Sequence, residues 1–303
     1  MGNVQGKAAT LHGLAGIYAN QGEVAKAIAF YEQSLELTEK IGNVQGKAAT
    51  LHGLAGIYAN QGEVAKAIAF YEESLELQEK MGDVQGKAAT LHNLAGIYAN
   101  QGEVVKAIAL YEKSLELHEK IGDVQGKAAT LHCLAGIYAN PGEVVKAIAL
   151  YEKSLELHEK IGDVQEKAAT LHCVAGIYAN QGEVAKAITF YEQSLELQEN
   201  IGNVQGKAAT LHQLAGIYAD QGEVAKAIAL YEQSLELQEK IGNVRGKAAT
   251  FAMLGLLLAD KKRDFDTALN YLQQSLDIFQ HLRSPQAETV RRIIAEVQRM
   301  ADG

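Results

Sequence analysis

At 303 residues the chain is long enough for two ordinary domains or one elongated array. A formal net charge of −9 and a pI near 5.5 set it apart from nucleic-acid binders, which carry a basic face. Two cysteines, no apolar leader and no long uncharged apolar run argue against secretion, disulfide stapling and a membrane partner, so a cytoplasmic protein is the expectation.

From the start the chain repeats itself. GNVQGKAATLHGLAGIYAN opens at Gly2 and returns in register at Gly42, Gly82, Gly122, Gly162, Gly202 and Gly242, seven tandem forty-residue units within 1–283, the last divergent. The units at 2–41 and 42–81 differ only at Gln33/Glu73, Thr38/Gln78 and Ile41/Met81, the mark of recent duplication or of a consensus sequence.

Within the second unit the pattern predicts a helix starting after an Asn43 N-cap, with Leu51, Leu54, Ala55 and Tyr58 as its buried stripe. Asp replaces the cap at 83, 123 and 163, and Glu166 follows Asp163 at the spacing of a capping box. Gly56 lies inside this helix, where it costs about 1 kcal/mol against Ala, so close approach of a backbone to a neighbour or ligand is expected there. Asn60-Gln61-Gly62 breaks the helix, and Pro141 falls in the equivalent break of the fourth unit.

A second helix is predicted from about Glu63 to Lys80. It carries two apolar tracks, Val64/Ile68/Tyr71/Leu75 and Ala67/Phe70/Leu77/Met81, separated by Lys66, Glu72, Glu76 and Glu79. Two tracks require two neighbours, so no unit can bury its surface alone. The tyrosines at 18, 58, 98, 138, 178 and 218 continue the leucine stripe and read as core with the hydroxyl at a rim. The Glu-rich second helices read as a solvated convex face.

The seventh unit departs from the pattern. Phe251 and Ala252 replace Leu-His, and the turn DKKRD holds an extra residue. Residues 242–303 hold nine Lys/Arg against seven Asp/Glu, so the acidic balance belongs to the body of the chain. Segment 284–303 then offers Ser284 as N-cap, Pro285 at the first helical position and Val290, Ile293, Ile294 and Val297 as one stripe, a C-terminal capping helix. No comparable segment precedes Gly2, so either a bare end is tolerated or the chain is part of a longer protein, and weak self-association through the uncapped N-terminal repeat is expected.

Leu51, Leu54, Ala55, Tyr58, Gly62, Ala67, Tyr71 and Ser74 match the spacing of the tetratricopeptide repeat, and the chain resembles its longer, forty-odd-residue branch found in kinesin light chains, Pins-type adaptors and sensor arrays of bacterial signalling ATPases. The resemblance implies an all-α fold, a right-handed superhelical solenoid of antiparallel helix pairs, that binds a peptide or protein segment in its concave groove. Leu51 stands at the usual Trp-like position, Ala55 at the usual Gly, and the usual closing Pro is missing.

In such a groove the free face of the first helices would present His12, His52, His92, His132, His172 and His212, with Asn60, Asn100, Asn140 and Asn180 at the helix ends. The place after each His is the most varied: Gly13, Gly53, Asn93, Cys133, Cys173, Gln213 and Met253, a sign of ligand tuning or of drift where nothing touches. In related adaptors Asn at this place grips ligand backbone, and Asn93 alone matches; no basic clamp for a chaperone tail occupies the face.

His132-Cys133 and His172-Cys173 invite a metal or nucleophile reading. Adjacent helical residues diverge by about 100°, zinc ligands must lie about 2.0–2.3 Å from one ion, and packed helices stand about 8–10 Å apart, so the pairs read as scaffold, with no metal, no cofactor and no disulfide. A Cys-His nucleophile also needs a base oriented by a third group, and Leu, Ala and Gly surround the pair. The expected function is a non-enzymatic protein-binding scaffold. The alternatives are a sensor or regulatory part of a larger signalling protein and a self-associating structural rod.

Overall fold

The computed structural model describes residues 2–139 and 142–302, so Asn140 and Pro141 lie outside the described residues. These residues form α-helices α1 (Gly2–Asn20) and α2 (Val24–Lys40), α3 (Val44–Asn60) and α4 (Val64–Met81), α5 (Val84–Asn100) and α6 (Val104–Ile121), and α7 (Val124–Ala139) and α8 (Val144–Ile161). They continue with α9 (Val164–Asn180) and α10 (Val184–Asn200), α11 (Val204–Asp220) and α12 (Val224–Lys240), α13 (Val244–Leu257) and α14 (Phe265–His281), and α15 (Gln286–Asp302). The fold class is all-α, a tandem series of antiparallel helix pairs. The chain divides into two compact units, Met1–Leu157 and His158–Gly303.

Short-range chemistry sets the helix limits. The side chain of Asn43 accepts from Gly46 N–H at 3.0 Å and that of Asp83 from Gly86 N–H at 2.9 Å, satisfying donors that the helix leaves open. At the other end of α3, Gly62 adopts φ 77°, and Glu63 N–H donates to Tyr58 O while Gly62 N–H donates to Ala59 O. This is a Schellman closure, and its left-handed residue explains the glycine.

Packing within a pair differs from the two apolar tracks expected of the second helix. The fully buried line of α4 is Ala67, Tyr71, Ser74 and Gln78, while Val64, Ile68, Phe70, Leu75 and Leu77 are only half-buried. Ser74 Oγ donates to Ala48 O at 2.9 Å, and the same bond recurs from Ser34 to Ala8 and from Ser114 to Ala88. Small residues let the helices approach, and the buried hydroxyl then finds its acceptor on the facing backbone. On α3 the stripe expected from spacing is in place, with Leu51, Leu54 and Ala55 buried and Tyr58 half-buried, and Thr50 joins it. Tyr98 and Tyr138 are buried, whereas Tyr18 and Tyr58 are half-buried and stack on Phe30 and Phe70.

In the second unit, α13 runs into a π-helical turn, Leu258–Lys262, which ends at Arg263 with φ 55°. The extra residue of DKKRD is absorbed there by widening the helix rather than by lengthening a loop. Helix α15 packs on α14 and buries Val290 and Val297, with Ile293 and Ile294 half-buried. Ser284 does not cap it in the expected way: its hydroxyl meets the Gln286 side chain, and Glu288 N–H reaches Pro285 O.

Candidate functional site

The groove candidates sit on the first helices, and the histidine row is held by the array itself. His52 Nδ1 lies 2.9 Å from Thr90 Oγ1 of the next repeat, and its ring meets Tyr71 of its own repeat edge-on at 5.2 Å. The same contacts join His12 to Thr50 and Tyr31, His92 to Thr130 and Tyr111, and, in the second unit, His172 to Thr210 and Tyr191 and His212 to Thr250 and Tyr231. His132 makes the edge-on contact with Tyr151. Thr130 Oγ1 donates to Gly126 O at 2.8 Å, so it can only accept from His92, which fixes the neutral tautomer protonated at Nδ1. Burial pushes His92 down to about 4, with nearby His118 adding to the effect, and burial lowers His52, His172 and His212 as well.

In the first unit the variable place after the histidine lies by the tyrosine of the preceding repeat, Gly53 by Tyr31, Asn93 by Tyr71 and Cys133 by Tyr111. A Cβ on Gly53 would stand 2.6 Å from Tyr31 Cζ, so that ring fills the space a side chain would need. At the next repeat Asn93 Nδ2 lies 3.2 Å from His52 Nε2; the amide nitrogen donates, so Nε2 accepts and Nδ1 carries the proton that points to Thr90. Burial pushes Tyr71 up to about 12 against an opposing hydrogen bond from Asn93. Tyr111 is also raised, first by burial and then by Cys133. Both cysteines are half-buried thiols outside any disulfide. Gln213, in the second unit, is exposed.

What a Cβ at Gly56 and Gly96 would meet is a tyrosine rather than a neighbouring backbone: it would sit 3.5 Å from Tyr71 Oη and 3.3 Å from Tyr111 Oη. The first contact is ordinary in length and the second is tight. Glycine leaves open space beside these hydroxyls, which also meet Asn93 and Cys133.

That space is a pair of recesses in the first unit. One of about 480 Å³ is lined by Asn60, Tyr71, His92, Asn93, Asn100 and Tyr111, among others. The next, of about 670 Å³, shares Gly96, Asn100 and Tyr111 with it and adds His132, Cys133 and Tyr151. Among the described residues, neither lining includes a charged side chain. Asn60 and Asn100 are exposed, as is Asn180 in the second unit, while Asn140 is outside the described residues. Of the residues expected in a groove, the structure therefore gathers His92, His132, Asn93, Asn60 and Asn100 around adjoining recesses. His12 and His52 line a separate row nearer the helix starts, with Gln45 and Gln85, which the sequence reading passed over. Glutamine recurring at 5, 45, 85, 125, 165 and 205 was the available signal.

Among the described residues no group of three or more His, Cys, Asp or Glu side chains is arranged to hold a metal ion, and no helix is long and apolar enough to cross a membrane.

A family model for the tetratricopeptide repeat matches residues 6–80, 86–160, 126–200, 166–240 and 206–281. No curated protein sequence matches the chain. Among solved structures, the chain is similar to a signal transduction ATPase with numerous domains and a tetratricopeptide repeat sensor from Pyrococcus horikoshii, with TM-score 0.74 and 21% identity over 98% of this chain and 46% of that one. It is also similar to a putative kinesin light chain with nearly identical TPR-like repeats from Podosopora anserina, with TM-score 0.52 and 26% identity over 64% of this chain and 95% of that one. A Rap protein complexed with competence and sporulation factor matches with TM-score 0.63 and 13% identity over 98% and 99% of the two chains.

Proposed function

This chain belongs to the tetratricopeptide repeat family, and we propose that it is a non-enzymatic scaffold that binds an extended peptide or protein segment along the recesses of its first helices. Repeats of this kind commonly mediate protein–protein interaction. The observation that carries the reading is the adjoining pair of recesses flanked by Asn60 and Asn100. A carboxamide offers both a donor and an acceptor, the complement of a peptide group, so amides presented once per repeat suit main-chain recognition that is tolerant of sequence. The tyrosine hydroxyls and Asn93 add further polar points beneath. The histidines act as walls and as links between repeats. The Rap complex offers a precedent for a bound factor on a similar fold.

The test is capture of partners from a lysate by the parent chain and by an Asn60→Ala/Asn100→Ala variant. A partner retained by the parent and lost by the variant is expected; equal capture by both, or none by either, would overturn the assignment. A second reading, the sensor part of a larger cytoplasmic signalling protein, is favoured by the ATPase match, of which this chain spans under half. It predicts a longer reading frame with an effector domain beside the repeats.

A further inference from the structure

Among the described residues, the two recesses beside Asn60 and Asn100 are built from equivalent side chains and differ in kind at one place. Val64 and Ile97 of the first recur as Val104 and Ile137 in the second. Each is bounded by tyrosines of successive repeats, Tyr71 and Tyr111 in one, Tyr111 and Tyr151 in the other. The position after the histidine is the exception: Asn93 lines the first recess and Cys133 the second. Asn93 spends its amide nitrogen on His52 Nε2 and leaves its Oδ1 acceptor to the recess, beside the amides of Asn60 and Asn100. Cys133 offers a small, weakly polar thiol among Ala99, Val104 and Ile137. A charged ligand side chain would lose its hydration in either recess without a partner charge among the described residues. A carboxamide, which brings both N–H and C=O, complements the first recess, and an apolar side chain the second.

Spacing sets the ligand's conformation. Helix α3 packs on α5 and α5 on α7, so successive recesses stand one helix separation apart, about 8–10 Å. A polyproline II segment rises about 3.1 Å per residue with three residues per turn, so side chains i and i+3 return to one face about 9.3 Å apart. A β-strand returns a side chain to the same face after about 6.7 Å or about 13 Å, and neither fits. An α-helix returns after seven residues in about 10.5 Å, but it satisfies its own main chain and leaves the Asn60 and Asn100 amides nothing to bind. Polyproline II has no internal hydrogen bonds, so its carbonyls are free to accept from them.

We infer that this groove takes a proline-rich segment of a protein partner in the polyproline II conformation, with a carboxamide side chain in the Asn93 recess and an apolar side chain three residues away in the Cys133 recess. The inference rests on the peptide-groove reading and adds the ligand's conformation, its composition and the two residues that select it.

Fluorescence anisotropy with the full chain tests it, using labelled peptides in which Gln-Pro-Pro-Leu, or the reverse order Leu-Pro-Pro-Gln, is flanked by prolines. Saturable binding of at least one order is expected. Removing one proline between the anchors, or replacing glutamine with leucine, should weaken it about fivefold to tenfold, the scale of one hydrogen bond. Asn93→Cys copies a residue that the next repeat already carries, and it should abolish the preference for glutamine over leucine at that anchor. No saturable binding of either order, binding indifferent to anchor spacing, or a glutamine preference unchanged by Asn93→Cys would each overturn the inference. Partner capture lost in the Asn60→Ala/Asn100→Ala variant while neither peptide binds would sink this inference and leave the groove assignment standing. Peptide binding equal in the parent and that variant would count against the role of the two amides alone.

Discussion

The histidine row and the asparagine row lie on the same helices and differ in what their polar groups are committed to. His52 and His92 direct Nδ1–H to threonines of the following repeat and set their rings against tyrosine, so their chemistry holds repeats together. Asn60 and Asn100, at the helix ends, stay exposed beside open recesses. Position on a groove face therefore does not make a residue available to a ligand; uncommitted hydrogen-bonding capacity does.

Substitutions can break this contrast or sharpen it. The largest effect is expected from the core beneath both rows: Leu94→Ala, at a site 4% exposed, should cost about 2–5 kcal/mol in urea unfolding. His92→Ala, which removes the donor to Thr130 Oγ1 and the ring that packs on Tyr111, should cost about 1–3 kcal/mol. Acid should act through the same row. Burial holds His92 below its ordinary 6.5, at about 4, so its folded form favours the neutral ring; the stability it contributes is complete above 6.5 and is lost as the pH falls toward 4. Unfolding midpoints followed by circular dichroism from pH 7 to 4.5 should fall, and His92→Gln, which keeps a donor for Thr130 without titrating, should flatten the slope.

Asn60→Ala/Asn100→Ala should leave the unfolding midpoint within about 0.5 kcal/mol of the parent while abolishing partner capture; a loss of stability on the scale of the histidine change would erase the distinction between the rows. Smallest of all is Lys80→Ala. Its partner Glu76 lies 3.9 Å away with both side chains 72% exposed, so no more than about 0.3–0.5 kcal/mol is expected.

Much of this was legible in forty residues. The spacing of Leu51, Leu54 and Ala55 gave the first helix and its buried side, and Asn43 and Gly62 gave its ends, because caps and apolar stripes act over a few residues. Ser74 was hidden as core because hydropathy patterns register apolar bulk, whereas this residue is buried for close approach and for one specific acceptor, Ala48 O. The commitment of the histidines was hidden for another reason: His52 and Thr90 are 38 residues apart and meet only when successive repeats stack. A threonine repeated unchanged inside an apolar stripe, at 50, 90 and 130, was the clue to that partnership.

His158 is 1% exposed, both ring nitrogens lack a hydrogen-bond partner, and Asp163 Oδ2 lies 3.7 Å from Nδ1, where His118 has its aspartate at 2.8 Å. Glu166 occupies the place that glycine holds at 126. Repeats in series all bear the same tension when a chain is pulled from its ends, so the joint that yields is set by the weakest link rather than by the average. Under stretching, the joint where His158 faces Asp163 should yield at a lower force than that of His118 and Asp123, and Glu166→Gly should raise it.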